Sequence, residues 1–278
     1  MGIVDFILNL AGLLLWLSWR SARFDPLAKR TPATLVGTLR RAEPARMRRW
    51  HLLAFIGGLL VLRALFYWQI GSALSPIWTG KLDLGITVLW FRSDLFWRIL
   101  LFSFLSFGVA LGIFYLWLLL FSILTGPEPV HRLVKIPLGR VDGWSRPVKI
   151  FLPLVATTLL WWLASWLFAE LTIIPRPFSE AHRFESSLLI GLGSYLVWRF
   201  PIGAVLALHL LNNYIYFGKH PVWSYVNATA QTLLSPLKKI PLRLGNVDFA
   251  PVLGVALVFL LAEAAGRGLV FLYGKLSP

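Results

Sequence analysis

KIPLGRVDGWSRP, at Lys135–Pro147, recurs later in the chain as KIPLRLGNVDFAP, at Lys239–Pro251. Both copies run Lys-Ile-Pro-Leu, then a glycine, then Val-Asp, then a proline at the mouth of a long apolar run. A motif repeated in front of two hydrophobic segments marks a chain built from duplicated membrane hairpins.

The segments around the motif settle the class. Hydrophobic residues make up 58% of the 278, charged residues 14%, and the mean hydropathy is +0.72. A soluble domain does not carry that balance, so lipid is the solvent. Crossing a hydrocarbon core takes about 20 apolar residues in a helix. Six runs qualify: residues 3–19, 52–74, 95–124, 148–174, 186–217 and 249–273. The sequence predicts an all-α, polytopic membrane protein of six transmembrane helices in three hairpins. The first run has no Lys or Arg before it and carries Asp5, while Arg20 and Arg23 follow it. It therefore reads as a retained span and not as a signal peptide.

Charge gives the orientation. The loops after spans one, three and five hold eighteen Lys and Arg, against six at the other ends of the spans, so the positive-inside rule puts the three basic loops in the cytoplasm. The expectation is a cytoplasmic-membrane protein with both termini on the extracytoplasmic side. The net charge of +15 is spread over alternate loops and not over one soluble domain, which argues against a nucleic-acid partner. Cysteine is absent, which excludes disulfides, thiolate metal sites and Cys-ligated clusters.

The hairpins begin at even intervals and divide the chain into 1–90, 91–175 and 176–278. The last two share the loop motif. The first shares only length, a basic loop and tryptophan-rich ends, so it is either a diverged third copy or an unrelated hairpin. Most of the fourteen tryptophans fall at span ends, where an interfacial belt places them. Trp161, Trp162 and Trp166 lie deeper. Small residues at Gly57, Gly58, Gly108, Gly112, Gly191, Gly193 and Gly254 allow close helix approach. Residues 222–234 place Val222, Val226, Ala230, Leu233 and Leu234 at helical spacing, predicting an amphipathic helix flat in the headgroup layer. Lys238, Lys239 and Arg243 beyond it can reach anionic lipid phosphates at about 1 kcal/mol per charge. A plain connector fits that segment as well.

Asn212, Tyr214 and Tyr216, then Pro221, Leu234, Pro236, Pro241, Gly245, Asp248 and Pro251, form a pattern that resembles the YggT (YlmG) family of small integral membrane proteins. Pro137, Gly139, Asp142 and Pro147 correspond in the earlier copy, and the first 90 residues lie outside the pattern. The resemblance implies helical hairpins with basic amphipathic loops and a role as an accessory or assembly factor of membrane complexes, in envelope, division or osmotic-stress processes. No reaction comes with it.

The motif also has a physical reading. The leading N–H groups of a helix entering lipid need an acceptor, so Asp248 is expected at the cap of span six, with Phe249 first in the helix, Pro251 in its opening turn and Gly245 supplying the bend. Asp142 with Gly143, or Ser145 before Pro147, is expected to serve span four likewise.

Ionisable groups within spans carry function by default. Arg63, Arg199, Glu263 and Arg267 form either a polar ion pathway or interhelical glue, and Glu263 and Arg267 are spaced to pair on one helical face. Pro201 should kink span five and free a carbonyl near residue 197. His209 is the one histidine plainly inside a span, too few for a bis-histidyl haem. No nucleophile elbow, P-loop, dinucleotide fingerprint or HExxH appears. The expectation is a non-catalytic chain without cofactor or bound metal. It is either a scaffold or assembly subunit docking other integral membrane proteins or its own copies, or a channel, transporter or osmotic-response factor using the buried charges.

Overall fold

The computed structural model describes residues 2–21, 49–74, 79–92, 95–124, 131–215, 221–237, 243–244 and 247–276. Every apolar run of the sequence folds as helix, because helix alone satisfies the backbone within a single segment in lipid. Six spans are long and apolar enough to cross a membrane: Ile3–Ser21, Trp50–Ile70, Phe96–Ile123, Arg146–Glu170, Glu180–Asn213 and Ala250–Leu276. The protein is an all-α polytopic membrane protein.

Helices α1 (Ile3–Ser21) and α2 (Arg49–Leu74) pack as an antiparallel hairpin. Short strands β1 (Thr79–Asp83) and β2 (Val88–Arg92) pair with each other. They are an addition to the expected all-helical plan. Alternate residues Leu82, Leu89 and Phe91 are buried, as a half-buried strand requires. The turn closes through Gly85 at φ 84°, whose N–H donates to Asp83 Oδ1 across 2.7 Å. Helix α3 (Phe96–Ile123) follows, then the short α4 (His131–Leu138) and a 3-10 turn over Gly139–Gly143. Beyond these lie α5 (Arg146–Glu170), α6 (Glu180–Gly193), a 3-10 segment over Ser194–Trp198, α7 (Arg199–Tyr214), α8 (Pro221–Leu233), the two-residue pair β3 (Arg243–Leu244) and β4 (Val247–Asp248), and α9 (Ala250–Leu276).

The chain separates into two compact units, one of residues 1–80 and 91–111, the other of 81–90 and 112–278. The division between the units falls within α3. In the first unit, Ile56 and Leu60 of α2 and Phe107 of α3 form a core flanked by Leu13 and Trp16 of α1. Gly12 lets this close up: a Cβ there would meet the Phe107 ring at 2.7 Å. In the second unit α5 packs on α6, and α9 lies along α6 and α7. Gly191 makes the α5–α6 contact possible, since a Cβ would run into Thr158 and lie 3.0 Å from the Leu154 carbonyl. Gly57, Gly58, Gly108 and Gly112 differ from the expectation, for a Cβ at each meets nothing within 4 Å.

Helix α8 falls where the periodicity places it, with a different use for its apolar face. Val226, Ala230 and Leu234 are buried against Val205 and Leu206 of α7, so protein and not the headgroup layer covers that side. Burying the stripe against α7 removes more apolar surface than an interface would.

The two motif copies take different local forms. Lys135–Leu138 ends α4 with Pro137 buried inside it, and Gly139 turns the chain at φ 62° into the 3-10 turn. In the later copy, Arg243 pairs with Asp248 and Leu244 with Val247 in an antiparallel ladder. Lys238, Lys239, Pro241 and Gly245 lie outside the described residues. Pro236 is exposed just after α8.

Candidate functional site

Polar side chains inside the spans gather in three places, each bridging helices. In the first unit, Arg63 of α2 is fully buried. Its guanidinium donates from Nη2 to Asp5 Oδ1 of α1 at 2.5 Å and to Ser106 Oγ of α3 at 2.9 Å, and from Nη1 to Asn9 Oδ1 at 2.9 Å. Asn9 Nδ2 donates to Ser106 Oγ at 3.2 Å, and the Tyr67 hydroxyl donates to Asp5 Oδ1 at 2.7 Å. Ser103 Oγ donates to the Leu60 carbonyl at 2.8 Å. Fixed acceptors in an apolar surround make a buried cation tolerable, and here one carboxylate and two polar side chains serve it.

The second place joins α3, the 3-10 turn and α5. Lys149 and Asp142 carry side chains only 6% and 7% exposed, 3.9 Å apart, and Ser122 Oγ lies between them, donating to Asp142 Oδ1 at 2.6 Å and accepting from Lys149 Nζ at 2.8 Å. This corrects the capping expectation for span four. Ser145 stands at the cap of α5 in extended backbone, yet its side chain makes no capping hydrogen bond, and Pro147 follows within the first turn. A buried ammonium needs a carboxylate more than a helix N-terminus does, because its desolvation is the larger cost. Asp142 Oδ1 is thus held toward Lys149 through Ser122. Span six also departs by one residue: α9 starts at Ala250, Phe249 accepts the first helical bond from the Leu253 N–H, and Asp248 closes β4. Pro251 is fully buried in the opening turn.

The third place is on α7 and α9. Glu263 receives Arg267 Nε at 2.9 Å, four residues along its own helix, and its other oxygen lies 3.9 Å from Arg199 Nη1. Structure and sequence agree on grouping these three. Arg63 belongs with Asp5, Asn9 and Ser106 in its own unit. His209 is buried, its Nδ1 2.8 Å from Asn227 Oδ1 of α8, a link that ties α8 to α7.

Span five stays helical from Glu180 to Asn213 but tightens into a 3-10 turn over Ser194–Trp198, just before Pro201. The carbonyl of Val197, which would bond residue 201 in an unbroken helix, accepts the indole N–H of Trp117 at 3.2 Å. Trp198 returns the bond by donating to the Leu116 carbonyl at 3.0 Å. Of the deep tryptophans, Trp161 is buried edge-on to Phe168, Trp162 lies under the Arg183 guanidinium at 4.6 Å, and Trp166 faces outward. Arg183 is itself buried and paired with Glu180 at 2.9 Å.

Sequence reasoning misses Asn9, Ser106, Ser122 and Lys149. Serine and asparagine in an apolar run look unremarkable one at a time, and Lys149 sits so close to a basic loop that it reads as a surface charge. The available signal is Asp5, a carboxylate inside a span that has no cation of its own within helical reach. Among the described residues, no three His, Asp or Glu side chains come together to hold a metal ion. No family model matches the chain, and no characterised protein or solved structure shows significant similarity to it.

Proposed function

We propose that this chain is a non-catalytic membrane scaffold, an accessory or assembly subunit of the YggT-like kind. It sits in the cytoplasmic membrane with both termini on the extracytoplasmic side and its basic loops against anionic headgroups. Its partners are other integral membrane proteins. The observation that carries this reading is the use of the intramembrane charges: Arg63 is fully buried and held at both Nη atoms by Asp5, Asn9 and Ser106 of neighbouring helices. A conduit needs ionisable groups that face water and exchange partners, whereas Arg63 holds helices together.

The test uses purified protein in vesicles beside native extracts. Arg63→Gln is expected to lower thermal stability and leave ion flux at the empty-vesicle level, and the wild-type chain is expected to migrate in a larger assembly in mild detergent. Unchanged stability with altered flux would replace the scaffold with a channel or transporter. Orientation is checked with single cysteines, since the chain has none. Lys81→Cys should react with an impermeant reagent in intact cells and Arg140→Cys should not.

A further inference from the structure

Beyond Gly254 no residue of α9 is buried, although this span carries two of the chain's intramembrane charges. Glu263 stands at the midpoint of the 27-residue helix, the level furthest from either headgroup layer. The side chains of Glu263 and Arg267 are 54% and 79% exposed, and that of Arg199 is 30% exposed. Among the described residues two guanidinium groups share one carboxylate there, which leaves one positive charge in excess near the middle of the span. Hydrocarbon does not solvate such a charge, so in the membrane this face is covered by something that does.

We infer that the face of α9 around Arg267 docks a transmembrane helix of another protein that carries a single carboxylate at mid-membrane depth. The inference rests on the scaffold reading and names one of its contact surfaces. Charge complementarity selects the occupant. A second copy of this chain would bring two more arginines and one more glutamate, doubling the excess, whereas one partner carboxylate neutralises it. The shape of the face agrees. Leu260, Ala264, Gly268 and Phe271 follow one another at helical spacing along it, all exposed. A Cβ at Gly268 would meet nothing within 4 Å, so the backbone there is open to a close-packed helix.

The probe is a polyleucine transmembrane peptide with one central glutamate, compared with its glutamine twin. Both are reconstituted with the full-length protein in phosphatidylcholine and phosphatidylglycerol vesicles, and binding is read by energy transfer to a dye on Lys275→Cys. The glutamate peptide is expected to bind about threefold to thirtyfold tighter, the range of one interhelical polar contact. That advantage should vanish in Arg267→Gln, whose exposed position keeps the fold out of question. Equal binding of the two peptides, or an advantage that survives Arg267→Gln, overturns the inference. Single-molecule bleaching that finds paired chains, separated by Gly268→Leu, overturns it in favour of a second copy. In native extracts, a wild-type assembly unchanged by Gly268→Leu removes this surface while leaving the scaffold reading intact. A wild-type chain that runs alone removes the scaffold reading, and the peptide comparison still decides the surface.

Discussion

Trp117 and Val197 are bound to each other, indole N–H to main-chain carbonyl at 3.2 Å, and the bond exists because Pro201 has no N–H to offer that carbonyl. A tryptophan on α3 thus completes the backbone of a different span. Breaks in membrane helices survive only where neighbouring side chains satisfy the freed groups, and this pair meets that condition.

Trp117→Phe keeps the ring and removes the donor. It should cost about 1 kcal/mol in the natural background. In a Pro201→Ala background the restored amide supplies the carbonyl, so the same change should cost less. Thermal unfolding of the four proteins in one detergent gives the coupling, and purely additive effects would show that the indole bond contributes nothing.

Removing one partner of the Arg63 centre leaves the other charge buried alone. Asp5→Leu and Arg63→Leu are each expected to destabilise by roughly 3 to 5 kcal/mol, and the double variant by less than the sum of the two. Protease resistance of reconstituted protein against temperature measures this. A double variant as poor as the sum would mean that Asp5 and Arg63 act independently.

Asp142 and Ser145 separate pairing from capping at the start of α5. Asp142→Ala leaves Lys149 without its carboxylate and should cost several kcal/mol, whereas Ser145→Ala loses no capping bond and should stay within about 0.5 kcal/mol. Asp142→Asn keeps a hydrogen-bond acceptor for Ser122 but loses the charge, so it should fall between the two. Melting temperatures in that order are the expected result, and a Ser145→Ala variant as poor as Asp142→Ala would return the cap to importance.

Gly191 and Gly57 are both helical glycines in apolar spans, and the structure distinguishes them. Gly191→Ala drives a methyl into Thr158 and the Leu154 carbonyl and should cost about 1 to 3 kcal/mol. Gly57→Ala enters open space and should be neutral or stabilising by up to about 1 kcal/mol through helix propensity. Expression level and melting temperature of the two variants, measured side by side, check the difference.

What was legible in the sequence follows from what lipid demands. Twenty apolar residues have one viable backbone, so the spans fall within a few residues of where hydropathy puts them, and α8 appears from spacing alone. Partner identity was less accessible. The pairing of Glu263 with Arg267 is local and was readable from a four-residue spacing, whereas Arg63 finds Asp5 across 58 positions through packing that no period encodes. The hairpin at Thr79–Arg92 escaped because its strands are five residues each and their alternation is short beside the runs around it. The motif misled in one respect. Ser145 makes no capping bond at α5, and Asp142 faces Lys149, a cation for which the later copy has Leu253 at the same place.

The bond between Asp5 and Arg63 also orders events in time. As the chain is synthesised, α1 arrives with a carboxylate in its first turn and with Asn9 one turn further on, both before their partner on α2 exists. The compensating guanidinium emerges 58 residues later, on the next helix. Alone in the bilayer, α1 would hold its charge only near a membrane surface, so it gains a settled depth when α2 joins it. The first two spans are accordingly expected to enter the membrane as a single helical pair.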